Sequence, residues 1–160
     1  MIRTNHHGYT DVGRGILVSN KEFCPQMRPY CGANVPCKIL HIYRNDHPKY
    51  HCLDVASGLL PPGDMSLEYR DGESFVKNGI DIDKLAHFFQ NQVAVLVHCA
   101  AGQTRSPTIA IIGLIARGVP FGKALGDVVT KNWEQRGIPS NICLAPLGEI
   151  LEWAEKRGSL

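Results

Sequence analysis

The sequence predicts an α/β fold, a central, mostly parallel sheet of about four to five strands flanked by helices, and three observations carry that expectation. Residues 93–97 (VAVLV) are an unbroken apolar run rich in valine, the pattern of a strand covered on both faces in the middle of a parallel sheet. After a short stretch, HCAAGQTRS, a second apolar run, PTIAIIGLIA, has the length of a buried helix. Upstream, Ile82, Leu85, Phe88 and Phe89 recur at helical spacing and supply the crossover helix that parallel neighbours require.

Size and composition agree with this. A chain of 160 residues is expected to form one domain, 1–160, and to bury roughly two-thirds of its unfolded surface, so disulfide staples are not required. Net charge is +2 with the charges scattered, so neither nucleic acid nor an anionic membrane is an expected partner. The six cysteines (Cys24, Cys31, Cys37, Cys52, Cys99, Cys143) include no CxxC pair, and the first residues lack the basic then apolar layout of a secretory leader. A cytoplasmic location is expected. The longest apolar run, 109–116, is far short of the roughly 20 residues that span a bilayer.

Along the chain, residues 1–20 are polar and glycine-bearing, with GILVS (15–19) the first expected strand. His6 and His7 are adjacent and on a strand would point to opposite faces, a poor arrangement for one metal ion. Segment 21–36 contains Cys24, Pro25, Pro29, Cys31 and Gly32 and reads as an irregular connection; with Cys37 its cysteine spacing matches no zinc module, and buried thiols are the simpler reading. KILHIY (38–43) and HCLDV (51–55) are expected strands, separated by RNDHP (44–48), a turn by composition. LPPGD (60–64) is a loop, and MSLEY (65–69) a short strand entering RDGES (70–74). Asp81 is expected to cap the helix over 80–90. Gly118, Val119 and Pro120 stop the helix after the central strand. A further helix, 122–133, places Leu125, Val128, Val129 and Trp133 on one face, and a last one from near Pro146 buries Leu147, Ile150, Leu151 and Ala154.

The chemistry is concentrated between the central strand and its helix. His98, Cys99, Gly102, Arg105 and Ser106 stand at fixed spacing, His-Cys-five residues-Arg-Ser, and chance would produce such a match on the order of once in ten thousand positions. A loop from the carboxyl end of a strand into a helix N-terminus aims several backbone N–H groups at one point, where the helix dipole also favours negative charge. Small Ala100 and Ala101 and flexible Gly102 let that backbone wrap round a phosphate-sized anion. Cys99 lies at the lip of the cradle, where the same amides favour a thiolate, and a thiolate facing a bound oxyanion is a nucleophile. Arg105 carries a planar fork that matches two phosphate oxygens, and Ser106 can give its hydroxyl proton to a departing sulfur.

These residues resemble the signature of the cysteine-dependent protein tyrosine phosphatases, most closely the small dual-specificity branch, in which Pro107 also occurs. The resemblance extends more loosely from about Ser66 to Ala154 and includes RGIPSN (136–141), which is similar to the linker between that branch's last two helices. It implies a dual-specificity phosphatase-like fold, a phosphorylated protein substrate, a monomer, and neither metal nor cofactor. It also implies roles: Cys99 as nucleophile, with Arg105 and the backbone of Ala100, Ala101, Gly102, Gln103 and Thr104 binding the substrate phosphate. His98 points into the fold and steadies the backbone at Cys99. A general acid is needed to protonate the leaving oxygen. In the family it is an aspartate after a strand, which selects Asp71, with Asp64 in reserve. Cys52 would trap an oxidised Cys99 as a disulfide if the two thiols met.

Rival readings are weaker. Sulfur transfer of the rhodanese kind needs neither the Arg-Ser ending nor an upstream acid, and arsenate reduction needs a relay of thiols that scattered cysteines do not provide. A phosphopeptide-binding module with little activity would have no use for Cys99, Ser106 and Asp71 together. Neither Gln103 nor Thr104 is basic, which favours phosphoproteins over phosphoinositide; RNA 5′-phosphate is the other alternative substrate.

Overall fold

The computed structural model describes residues 8–20, 37–44, 52–58, 60–70, 72–100 and 103–160. Its strands are β1 (Tyr9–Gly13), β2 (Ile16–Asn20), β3 (Cys37–Tyr43), β4 (Met65–Glu68) and β5 (Ala94–Cys99). They form one sheet in the order β1-β2-β5-β3-β4, antiparallel between β1 and β2 and parallel elsewhere. This is the expected mostly parallel sheet, with β5 at its centre. Val95, Leu96 and Val97 are fully buried, as a strand covered on both faces must be. Val93 is 62% exposed and lies outside the strand, which instead runs on to Cys99.

The first strand is a correction. Residues 9–13 pair with β2 as a hairpin whose turn holds Arg14 and Gly15 at φ 53° and 75°. A side chain at Gly15 would meet the carbonyl oxygen of Val93 at 2.8 Å, so glycine is required for packing as well as for the turn. Only Thr10 and Val12 of β1 are fully buried, too short an alternation to be read among polar neighbours.

The helices are α1 (Leu53–Ser57), α2 (Ile82–Gln90), α3 (Arg105–Ala116), α4 (Phe121–Arg136) and α5 (Leu144–Lys156). HCLDV is therefore not a strand. Cys52 caps a short helix closed by Gly58 in the left-handed conformation, and so brief an apolar run does not distinguish helix from strand by period. Asp81 caps α2 as expected, its carboxylate accepting from the Asp83 N–H. Every residue of α3 is buried, which explains why its sequence has no polar face. At Gly113 an added methyl would lie 2.7 Å from the Phe89 ring and 2.8 Å from Ile16, so the glycine lets α3 approach α2 and β2 closely.

The apolar faces expected for the last two helices are rotated. In α4 the buried line is Ala124, Val128 and Asn132, while Val129 and Trp133 are 38% and 48% exposed. Asn132 earns that position by hydrogen bonding: it accepts from Thr10 Oγ1 at 2.8 Å and donates to Ser140 Oγ at 3.1 Å, tying α4 to β1. In α5 Ile150 and Ala154 are buried, but Leu151 is 41% exposed.

The sheet divides two unequal cores. Val95, Val97 and Cys99 face the larger one, which contains α2, α3, α4 and α5; Ile39, Leu96 and Cys52 form a smaller one with Tyr9, Leu17 and Val55 on the other face. Among the described residues no helix is long and apolar enough to cross a membrane.

Candidate active site

Because side chains alternate along β5, Cys99 and His98 leave the strand on opposite faces. Cys99, 2% exposed, ends the strand on the side of the larger core, and its Sγ lies 3.2 Å from Ser106 Oγ in the first turn of α3. Arg105 opens α3 and is buried, its Nη1 donating to the Tyr69 carbonyl at 3.3 Å. The structure thus brings Cys99, Arg105 and Ser106 to one strand–helix junction. Gln103 and Thr104 complete the described part of the loop with Ala100, all half-buried, and the Gln103 carbonyl is held by the Asn141 N–H at 2.7 Å. Ala101, Gly102 and Asp71 lie outside the described residues.

The segment that carries the expected acid is anchored at both of its described ends. Tyr69, two residues before Asp71, is buried against Phe75 and donates its hydroxyl to the Glu73 carbonyl at 2.8 Å. The Phe75 and Val76 N–H groups donate to the Glu149 carboxylate of α5 at 2.7 and 3.2 Å. Asp64 is corrected as the reserve acid. Its side chain is fully buried, accepting from the Ile39 N–H at 3.1 Å and from His41 Nε2 at 2.9 Å on the other side of β3 from the cradle's core.

Asp64 belongs to a second cluster that sequence spacing did not reveal. Nδ1 of His41 faces Nε2 of His98 at 2.8 Å and Sγ of Cys52 at 3.3 Å, and the two imidazole rings meet edge to face. The one available signal was a polar residue inside KILHIY: a histidine in a buried strand needs a partner. Burial opposes charge on His41, but its hydrogen bonds to Asp64 and Cys52 prevail and hold its pKa above the usual value. Burial, aided by the neighbouring His41, holds His98 below it. His98 Nδ1 makes no close hydrogen bond among the described residues and lies beside the Cys99 backbone.

His41, Cys52 and His98 are a donor set that suits zinc, their ligand atoms all within 4.8 Å of one another. The His41–His98 nitrogens at 2.8 Å are nevertheless at hydrogen-bond separation; tetrahedral zinc with bonds of about 2.0 to 2.1 Å would set them about 3.3 Å apart. As the side chains stand, the two rings are hydrogen-bonded to each other. The cluster's position also answers the disulfide expectation: Cys52 and Cys99 pack on opposite faces of the sheet, which stands between the thiols.

Arg136 lies partly buried at the end of α4. It donates Nε to Thr10 Oγ1 at 2.6 Å and Nη2 to Asn132 at 2.7 Å. Burial pushes its guanidinium down to about 10, while the sulfur of Cys99 pulls the other way across the intervening space.

No family model and no curated protein sequence matches the chain. Solved structures do. Human DUSP28 superposes with a TM-score of 0.66 at 13% identity, over 98% of this chain and 99% of that one. PTPMT1, solved in complex with PI(5)P, gives 0.64 at 15% identity over 94% and 99%. The human tyrosine phosphatase-like serine/threonine/tyrosine-interacting protein gives 0.61 at 14% identity over 93% and 97%. The resemblance expected from the signature therefore holds for the fold, and over nearly the whole chain rather than from Ser66 onward.

Proposed function

We propose that the protein is a phosphatase that hydrolyses phosphate monoesters through a phosphocysteine at Cys99, acting most naturally on phosphotyrosine, phosphoserine or phosphothreonine in proteins. The observation that carries this reading is the meeting of Cys99, Arg105 and Ser106 where the central strand enters a buried helix. The fold shared with dual-specificity phosphatases supports it.

In the first step the Cys99 thiolate attacks phosphorus in line; the S–P bond forms, the P–O bond to the leaving group breaks, and Asp71 gives that oxygen its proton. In the second step Asp71, now a carboxylate, takes a proton from water as the water attacks phosphorus. The S–P bond breaks, and Ser106 hydrogen-bonds the sulfur as negative charge returns to it. Arg105 and the amides of residues 100–105 hold the equatorial oxygens through both steps. Tyr69 supports the assignment of Asp71, because the residue that enters the acid-bearing segment is the one whose carbonyl Arg105 holds.

The test is hydrolysis of an aryl phosphate by the purified protein in the presence of chelator. Turnover that persists with chelator and disappears in Cys99→Ser supports the proposal. A wild type that is inactive but binds a phosphopeptide replaces it with a binding module, and a panel of phosphotyrosine, phosphoserine, phosphoinositide and RNA 5′-phosphate assigns the substrate class.

A further inference from the structure

We propose that His41 and Asp64 are positioning residues for Cys99, acting through His98: Asp64 orients His41, His41 donates to His98, and His98 steadies the backbone that presents the nucleophile. This deepens the phosphatase reading and rests on it.

The hydrogen bonds place one proton and require another between the two rings. Asp64 accepts from the Ile39 N–H through Oδ1 and from His41 through Oδ2, so Nε2 of His41 carries a hydrogen. Nδ1 of His41 faces Nε2 of His98 at 2.8 Å, a separation that requires one proton between them. We place that proton on His41, because burial lowers the pKa of His98 while the hydrogen bonds of His41 to Asp64 and Cys52 raise its own. On that assignment an imidazolium at His41 lies between the Asp64 carboxylate and the ring of His98. The remaining proton of His98 is then on Nδ1, which makes no close hydrogen bond among the described residues and belongs to a ring that adjoins the Cys99 backbone.

The surroundings make this arrangement sensitive. Among the described residues, the titratable groups facing His41 come from three elements: Cys52 ahead of α1, Asp64 ahead of β4, and His98 on β5. Beside it on the β4 side stands Ser66, and on the β5 side His98 itself. His41, His98 and the Asp64 side chain are at most 1% exposed, so water screens their interactions little. A change of charge at Asp64 is therefore transmitted to the strand end that carries the nucleophile.

Asp64→Asn tests this sharply. The amide oxygen of Asn can keep the Ile39 N–H while its NH2 donates to Nε2, leaving His41 neutral with its Nδ1–H still on His98. The hydrogen bonds survive and the charge does not. The readout is alkylation of Cys99 by iodoacetamide against pH in the full chain, followed by mass spectrometry of the Cys99 peptide, with the pH profile of kcat/KM for an aryl phosphate alongside. In Asp64→Asn, alkylation near pH 6 should slow about three- to tenfold, recover at high pH, and be mirrored in the acid limb of kcat/KM with KM changed less than about twofold. An unchanged pH dependence overturns the proposal, whatever happens to the melting temperature. Should Asp64→Asn fail to fold, nitrogen-15 spectra of the wild-type histidines decide instead. Two protonated nitrogens on His41 and a neutral His98 at pH 7 support the relay, and a neutral His41 overturns it. If wild-type Cys99 alkylates no faster at pH 6 to 7 than an ordinary thiol, the phosphatase reading itself fails. If it is reactive there but Asp64→Asn matches it, only this inference fails.

Discussion

His98 and Cys99 are adjacent in the chain yet belong to two differently built regions. On the Cys99 face the candidate site is local: thiol, arginine and hydroxyl fall within one strand–loop–helix passage, and the fold has only to bury α3. On the His98 face the cluster is gathered from four distant places, residues 41, 52, 64 and 98, and exists only because β3 and β5 are parallel neighbours with His41 opposite His98. The first kind of site can be recognised from order and spacing. The second depends on topology and register, and a shift of one residue along β3 would turn His41 to the other face and dissolve it.

Perturbations should separate the two regions by size and by kind. The largest effects belong to the cradle side. Asp71→Ala should reduce kcat for an aryl phosphate by about 10² to 10⁴ with little change in substrate binding, whereas Asp64→Asn should move the pH profile and leave the plateau rate much closer to wild type. If steady-state kinetics show the reverse, the acid has been assigned to the wrong aspartate. Arg105→Lys keeps the charge and loses the fork; a loss of about 10² to 10³ in kcat/KM is expected, and a mild effect would mean that the guanidinium does not grip the phosphate.

Smaller effects concern stability. Gly113→Ala should destabilise the fold by about 1 to 3 kcal/mol in urea titration, since the methyl must displace Phe89 or Ile16 where α3 is buried all round. The pH dependence of stability tests the opposite face. His41 is held above the usual 6.5, so its contribution is complete below that pH and is lost as pH rises through its higher folded value. His98 is held below, so its contribution is present above 6.5 and is lost as pH falls. The melting temperatures of wild type and His41→Phe should therefore converge as pH rises from 6 to 9, measured by calorimetry, and a gap of constant width would contradict a charged His41.

What could be read from the sequence follows the same division. The central strand, the buried helix, the Asp81 cap and the junction residues were legible because each rests on contiguous pattern or on a capping residue at its own terminus. The hairpin at β1 and the helix at α1 were not, because Thr10 and Val12 give too little alternation and HCLDV fits both periods. The rotated faces of α4 and α5 have a different cause. Hydrophobicity pointed to Trp133 and Leu151, but Asn132 is drawn inward by Thr10 and Ser140, and polar pairing across elements leaves no trace in the periodicity of either one. Asp64 shows the limit most clearly: as an aspartate in a loop it resembled a spare catalyst, and only its burial beside His41 reveals another occupation.

The central proposal, that Cys99 carries the phosphoryl group, is tested most directly by acid-quenching the protein during incubation with an aryl phosphate and mapping the peptides by mass spectrometry. Phosphate attached to the peptide containing Cys99, increased in Asp71→Ala and absent in Cys99→Ser, is the predicted result. Turnover that proceeds with no phosphate on that peptide, or with phosphate on another residue, would contradict it.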